Sequence, residues 1–196
     1  MGISLERPKN CVEFSLGVMH PLADRLLPIH FAGGCLRRLR GSDLGAFQAY
    51  RSIPELGRYQ GWSPMSEAEA LAFLVEMEGT ALFQPGRWVQ LGIADPSTKV
   101  LLGDIGLRLS EDSQTAEVGF TLAPLAQGHG VASAAVQAAL QLLFTATPVS
   151  LVVGITDARN TRSVRLLERL GFEGQETRKA IFRGEECMEQ VFVLPR

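Results

Sequence analysis

The tightest constraint lies in residues 116–155, where four patterns follow one another without a break. Residues 116–122 alternate: Val118, Phe120 and Leu122 share one face, and Glu117, Gly119 and Thr121 share the other. That is the period of a strand. Pro124 stops it, and a glycine loop follows, Gln127-Gly128-His129-Gly130. Val131, Ala135, Ala138 and Leu142 then recur at helical spacing, with Val136, Leu140 and Leu143 as a second stripe. This predicts a well-buried helix to about Thr145. Residues 149–155 are nearly all apolar, as in a strand covered on both faces. Strand, helix and strand of these lengths make a βαβ unit with parallel strands. The chain must therefore belong to the mixed α/β class.

The remaining segments attach to that unit. Cys35 to Arg40 reads as a strand, Gly41-Ser42-Asp43 as a turn and helix cap, and a helix follows through about Ser52. Ser66 caps a second helix, with Leu71, Leu74 and Val75 on one stripe and an end at Gly79. Strands at 88–94 and 100–109 flank Asp95-Pro96-Ser97-Thr98, which predicts a hairpin. A helix from about Asn160 to Leu170 stops at Gly171, and two antiparallel strands follow near 172–179 and 187–194. Pro8, Gly17, Pro21, Pro28, Gly33 and Gly34 punctuate the start. Residues 1–34 therefore read as an N-terminal extension with one short helical piece, and residues 35–196 as the domain.

Composition narrows the function classes. With 196 residues and 46% hydrophobic content, the chain can bury one sizeable core. A net charge of -2 and no basic run argue against a nucleic-acid partner. No run approaches the ~18 apolar residues that would span a bilayer, and no signal peptide is evident. Cys11, Cys35 and Cys187 lie far apart with no metal-ligand spacing. Free thiols, a cytoplasmic location and no metal are expected.

In a βαβ unit, ligands sit at the carboxyl ends of the strands. Here that place is a glycine loop opening a helix, whose first amides have no partners inside the helix. Phosphate or pyrophosphate binds at such ends; a tight turn without ligand is the plain alternative. A Walker loop is absent. A dinucleotide fingerprint would want Gly or Ala where Ser133 stands and an acid near Val153.

Gln127-x-x-Gly130-x-Ala132 resembles the pyrophosphate loop of the GCN5-related N-acetyltransferases, the GNAT superfamily. The chain is most similar to the branch containing RimJ and RimL. Four further segments carry that likeness: Leu36-Arg37-Arg38-Leu39-Arg40 before Asp43; Gly61-Trp62-Ser63-Pro64; residues 116–124; and Asn160-x-x-Ser163 followed by residues 167–172. Ala134 stands where the branch commonly has Glu, and Cys187-Met188-Glu189-Gln190 replaces its usual last-strand pattern.

The resemblance implies a mixed central sheet of about seven strands flanked by about four helices. Its fourth and fifth strands, here 116–122 and 149–155, would be parallel and splayed. It implies that the backbone of Gly128, His129, Gly130, Val131, Ala132 and Ser133, with Gln127, holds the pyrophosphate of acetyl-CoA. The backbone of Val118, Phe120 and Leu122 would pair with the pantetheine arm, as an added strand pairs with a sheet edge. Asn160 would bond that arm or cap its helix. Glu117 would be the general base, its rival role being an exposed strand carboxylate. Ser163 would lie near the thioester sulfur, one turn before Leu167, which fills the slot where many members carry a proton-donating Tyr. His129 would face the phosphate end rather than the thioester. The implied reaction is direct transfer of acetyl to a primary amine of a protein N-terminus, a peptide or a small molecule, with no metal. A homodimer, common among the relatives, is one assembly the resemblance allows. Another acyl-CoA such as succinyl-CoA, or a catalytically weak acetyl-CoA sensor, is the alternative.

Overall fold

A computed structural model describes residues 20–196; Cys11 and most of the predicted extension lie outside the described residues. In chain order the elements are α1 (His20–Arg25), β1 (Ile29–Phe31), β2 (Gly34–Arg38), α2 (Leu44–Arg51), α3 (Pro54–Gly57), α4 (Glu67–Gly79), β3 (Trp88–Ala94) and β4 (Leu101–Leu109). Then come β5 (Thr115–Leu122), α5 (Val131–Ala146), β6 (Leu151–Asp157), α6 (Thr161–Arg169), β7 (Glu173–Phe182) and β8 (Glu185–Pro195). These strands join one sheet in the order β1-β2-β3-β4-β5-β6-β8-β7. Among them only β5 and β6 pair in parallel, as the βαβ reading requires.

The sheet has eight strands rather than about seven. The extra one, β1, pairs with β2 through Ile29↔Leu36 and Phe31↔Gly34. It is three residues long and lies between Pro28 and Gly33, too short to show a period. The splayed pair is consequently fifth and sixth in the chain. Six α-helices are described rather than about four; α1 and α3 are only 6 and 4 residues long. The four longer ones are those the periodicity predicts. Ala23 of α1 is fully buried in the main core, and Leu26, Leu27, Ile29 and Phe31 pack against it, so these residues ahead of Cys35 join the domain's core.

Helices cover both faces of the sheet. On one face α5 packs Ala135, Val136, Ala139 and Leu143 against Leu91, Ile105, Leu107, Val118 and Leu122. On the other, α2 and α4 bring Phe47, Tyr50, Ala70 and Leu74 onto Leu39 and Leu101. Ser66 and Glu69 form the reciprocal cap at the start of α4: the Ser66 hydroxyl accepts from the Glu69 amide at 3.3 Å, and Glu69 accepts from the Ser66 amide at 2.8 Å.

The second face also buries charge. Arg51 donates to Asp104 at 2.7 Å, and their side chains are 7% and 3% exposed. The Tyr50 hydroxyl donates to the other oxygen of Asp104. Burial, reinforced by the Asp104 charge, pushes the Tyr50 phenol well above its ordinary pKa. The Arg51 guanidinium also stacks under the Trp62 ring at 4.4 Å. Asp104 thus ties α2 to β4 and, through Arg51, holds the loop after α3. Asp104→Ala is expected to cost about 3–5 kcal/mol, because it leaves a buried guanidinium without its counter-charge. Urea denaturation measures this; a loss under about 1 kcal/mol would mean that Arg51 finds water instead.

Candidate active site

The site begins where β5 and β6 part. Their ladder covers Thr115↔Leu151, Ala116↔Val152 and Glu117↔Val153, and no pairing continues beyond. The opposite edge of β5 stays paired with β4 up to Leu122 in constant register. Hydrogen bonds from Ser110 N to Thr115 O and from Ala123 N to Leu102 O bracket that ladder. In an antiparallel pair such residues alternate. Odd-numbered residues of β5 therefore turn their N–H and C=O toward β4. Phe120 and Leu122 turn both of theirs toward the gap; Val118 turns its carbonyl there, its N–H being used by the last parallel pair with β6.

Two side chains already occupy that open edge. Gln127 donates to the Leu122 carbonyl at 2.9 Å. Gln60, from the loop after α3, donates to the Phe120 carbonyl at 3.3 Å. Gln127 also accepts from Arg162 of α6 at 2.8 Å, which links the loop after β5 to the helix after β6.

Gly128 and Gly130 take left-handed φ values of +81° and +78°, a region that disfavours side chains. A Cβ on either would meet nothing within 4 Å, so the space before the loop is open. The first α-helical bond of α5 runs from Ala134 N to Gly130 O. The amides of Val131, Ala132 and Ser133 thus have no intrahelical partner and stand at the positive end of a sixteen-residue helix. His129 is exposed in the loop.

Glu117 lies on the sheet face opposite the α5 core, directly across from Arg108. Burial raises its carboxyl pKa above the ordinary value; Arg108 opposes the shift and Glu189 adds to it. Among the described residues no salt bridge reaches Glu117. Its neighbours are engaged. Arg178 pairs with Glu189 at 3.3 Å, and Arg159 pairs with Asp157 at 2.6 Å. Hydrogen bonding by Arg159 holds the Asp157 carboxyl below its usual range. Asp157 and Glu189 are thus in ion pairs, and Glu117, among the described residues, is not.

Asn160 caps α6, its side-chain oxygen accepting from the Ser163 amide at 3.3 Å. Ser163 is half-buried in the first turn of α6. Leu167 is 2% exposed. A Cβ added to Gly154 would come within 2.8 Å of it, so Leu167 fills the core above a strand glycine.

The Acetyltransferase (GNAT) domain matches residues 35–173. The chain belongs to the GNAT acetyltransferases. It is 30% identical over 139 residues to the N-acetyltransferase YoaA of Bacillus subtilis (strain 168), covering 70% of this chain and 78% of YoaA. A GNAT-family acetyltransferase structure from Bacillus anthracis superposes with a TM-score of 0.77 at 19% identity, over 86% of this chain and 98% of that one. RimL, a ribosomal alpha-N-protein acetyltransferase solved with coenzyme A, superposes at 0.70 with 16% identity, over 84% and 95% of the two chains. The GNAT domain makes this protein an acyl-CoA-dependent N-acyltransferase with RimL-like structural relatives. Among the described residues no helix is long and apolar enough to cross a membrane, and no cluster of metal-ligating side chains occurs.

Glu117 stands at the last β5–β6 pair, where the open β5 edge begins, and the bond between Gln127 and Arg162 joins the loop after β5 to the first turn of α6, whose cap is Asn160 and which carries Ser163. The structure also adds residues that the sequence did not mark. Gln60 and Arg162 reach the site only through folding. Arg183, at the tip of the β7–β8 hairpin, donates to the Trp62 carbonyl and ties the hairpin to the loop carrying Gln60.

Proposed function

We propose that this GNAT protein transfers the acetyl group of acetyl-CoA to a primary amine by direct attack, with Glu117 as general base. The observation that carries the reading is a length of unpaired β5 edge running from an anion-ready loop to an unpaired, partly buried carboxylate. From Leu122 to Glu117 the strand covers ~16 Å at the usual rise per residue, a distance that an extended pantetheine arm spans. The glycine-loop amides would hold the pyrophosphate, and Arg162 would add positive charge beside them. The buried free thiols of Cys35 and Cys187 fit a reducing, cytoplasmic setting.

The acceptor arrives as an ammonium and must lose a proton before it attacks. Glu117 takes that proton. The amine nitrogen bonds to the thioester carbon while an edge N–H of β5 stabilises the developing oxyanion. The C–S bond then breaks, and CoA leaves as a thiolate. The nitrogen sheds its second proton to water, and Ser163, near the start of α6, relays a proton from water to the sulfur. Leu167 cannot donate one and is committed to the core. Protein N-termini, peptides and small-molecule amines all satisfy this chemistry.

Glu117→Gln keeps shape but cannot accept a proton. The rate near neutrality is expected to fall ~10²–10⁴-fold, the range for general-base catalysis. Its raised pKa places the wild-type acid limb of kcat/KM above the ordinary glutamate range: activity is lost as pH falls through that value and the base protonates. The deficit of the variant should shrink at high pH, where the amine is already neutral. A deficit flat with pH would make Glu117 a positioning group. Ser163→Ala is expected to lower kcat about tenfold, ~1.4 kcal/mol in the barrier, with CoA affinity unchanged. Steady-state kinetics decide it; a wild-type kcat would leave water as the proton source.

A further inference from the structure

The sheet face that carries Glu117 holds a bare patch beside it. On that face β5 presents Glu117, Gly119 and Thr121, and β4 presents Arg108, Gly106 and Asp104 directly across from them. Thr121 is covered, its hydroxyl accepting from Trp62 at 3.4 Å, and Asp104 is held by Tyr50 and Arg51. Between that row and the Glu117 row lie only the two paired glycines. They differ in what they need. A Cβ on Gly106 would come within 2.8 Å of the Gln90 side chain, so Gln90 can lie over that position only because it is glycine. A Cβ on Gly119 would meet nothing within 4 Å, and Gly119 is not among the left-handed glycines. Neither packing nor backbone requires glycine there. A strand glycine of this kind leaves room for a ligand.

Gln90 closes the patch on the side away from the gap. It pairs with Gly106 across β3 and β4, and its amide lies over that glycine. Its side-chain oxygen is buried with no hydrogen-bond partner among the described residues. A buried acceptor left in this way costs stability. No protein bond holds the oxygen, and the terminal torsion of a glutamine is soft. The amide can therefore turn its oxygen toward a group lying over Gly119 and lose no bond. Glu117 and Gly106 are diagonal neighbours on the β4–β5 pair, about 7–8 Å apart.

We infer that Gln90 is a specificity-determining residue for the acceptor: its side-chain oxygen selects amines that carry a second N–H or O–H group a few atoms from the reacting nitrogen. The inference rests on the acetyl-transfer reading above. An amine deprotonated by Glu117 at the open edge of β5 extends its body over Gly119, where the floor is backbone alone. Its hydroxyl or second N–H then reaches the Gln90 amide and satisfies the orphaned oxygen. An alkylamine of the same length lies on the same floor but leaves that oxygen without a partner. A site whose polar group stays unpaired rejects such an analogue.

Gln90→Met keeps the length of the side chain but has no oxygen to accept the bond. Wild type and variant are compared with amino alcohols of three to five carbons and with unbranched alkylamines of matching length. In wild type the best amino alcohol is expected to exceed its matched alkylamine about tenfold in kcat/KM, within the range of one hydrogen bond. In Gln90→Met that ratio should fall to about one, and the variant should melt no lower than wild type, because it deletes an orphaned acceptor. Gly119→Ala should fold as stably as wild type and raise the KM for the amino alcohol about tenfold. No preference in wild type, a preference retained in Gln90→Met, or an unchanged KM in Gly119→Ala overturns the inference. So does a loss in Gln90→Met that falls equally on both amines or comes with a lower Tm, which would make Gln90 structural. Binding is followed separately in the CoA complex through the Gln90 side-chain amide resonances, assigned by their loss in Gln90→Met. They are expected to shift on adding the amino alcohol and to stay in place on adding the alkylamine. If wild type binds CoA but acetylates neither amine, the proposed transfer fails, and these resonances still decide the role of Gln90: no shift overturns it. If wild type binds no CoA, both fall together.

Discussion

Strands β5 and β6 share three residue pairs and then separate. Backbone groups inside a protein must find partners, so a parting of this kind in mid-sheet is costly unless something fills it. Here side chains do part of the work, and the proposed acyl donor would do the rest. Gln127 and Gln60 satisfy two carbonyls of the open edge, and Arg162 closes the far end through Gln127. The N–H groups stay available. The gap is therefore rich in donors along its length and ends at the positive pole of α5. That composition suits a ligand with a pyrophosphate at one end and carbonyls along its arm.

The rest of the fold keeps the gap in place. The Ala-rich α5 packs closely on Val118 and Leu122 from one side, fixing where the glycine loop begins. Gly154 lets Leu167 settle against β6, which seats α6 and brings Arg162 to Gln127 at the opening. From the other side, the buried Arg51–Asp104 pair and its stack under Trp62 hold the loop that delivers Gln60. A buried ion pair is a poor source of net stability. Its value here is geometric, because it gives an otherwise irregular loop a single position over the strand.

Much of this architecture is legible in the amino-acid sequence alone. The alternation at 116–122, the glycine loop and the two apolar stripes of α5 carry local signals strong enough to place the βαβ unit. Period alone assigns Glu117 to the face away from Val118. What the residues do not reveal is non-local. Strand β1 has three residues between Pro28 and Gly33, and it becomes a strand only by pairing with β2. Gln60 sits in a loop where no period applies, and its significance depends on which way the Phe120 carbonyl points. Arg162 reads as an ordinary solvent-facing helix residue until Gln127 is found beside it. Leu167 stands in the slot of a proton donor, yet only the contact with Gly154 shows that it belongs to the core.

The central claim is that acetyl-CoA lies along the open edge of β5 with its pyrophosphate on the loop that opens α5. Amide hydrogen exchange, read residue by residue with and without CoA, tests it most directly. Protection is predicted at Phe120 and Leu122 and across residues 128–133, with Gly119 and Thr121 unchanged because their amides are already bonded to β4. Protection that spares these even-numbered β5 amides, or that appears on another edge of the sheet, would contradict the account.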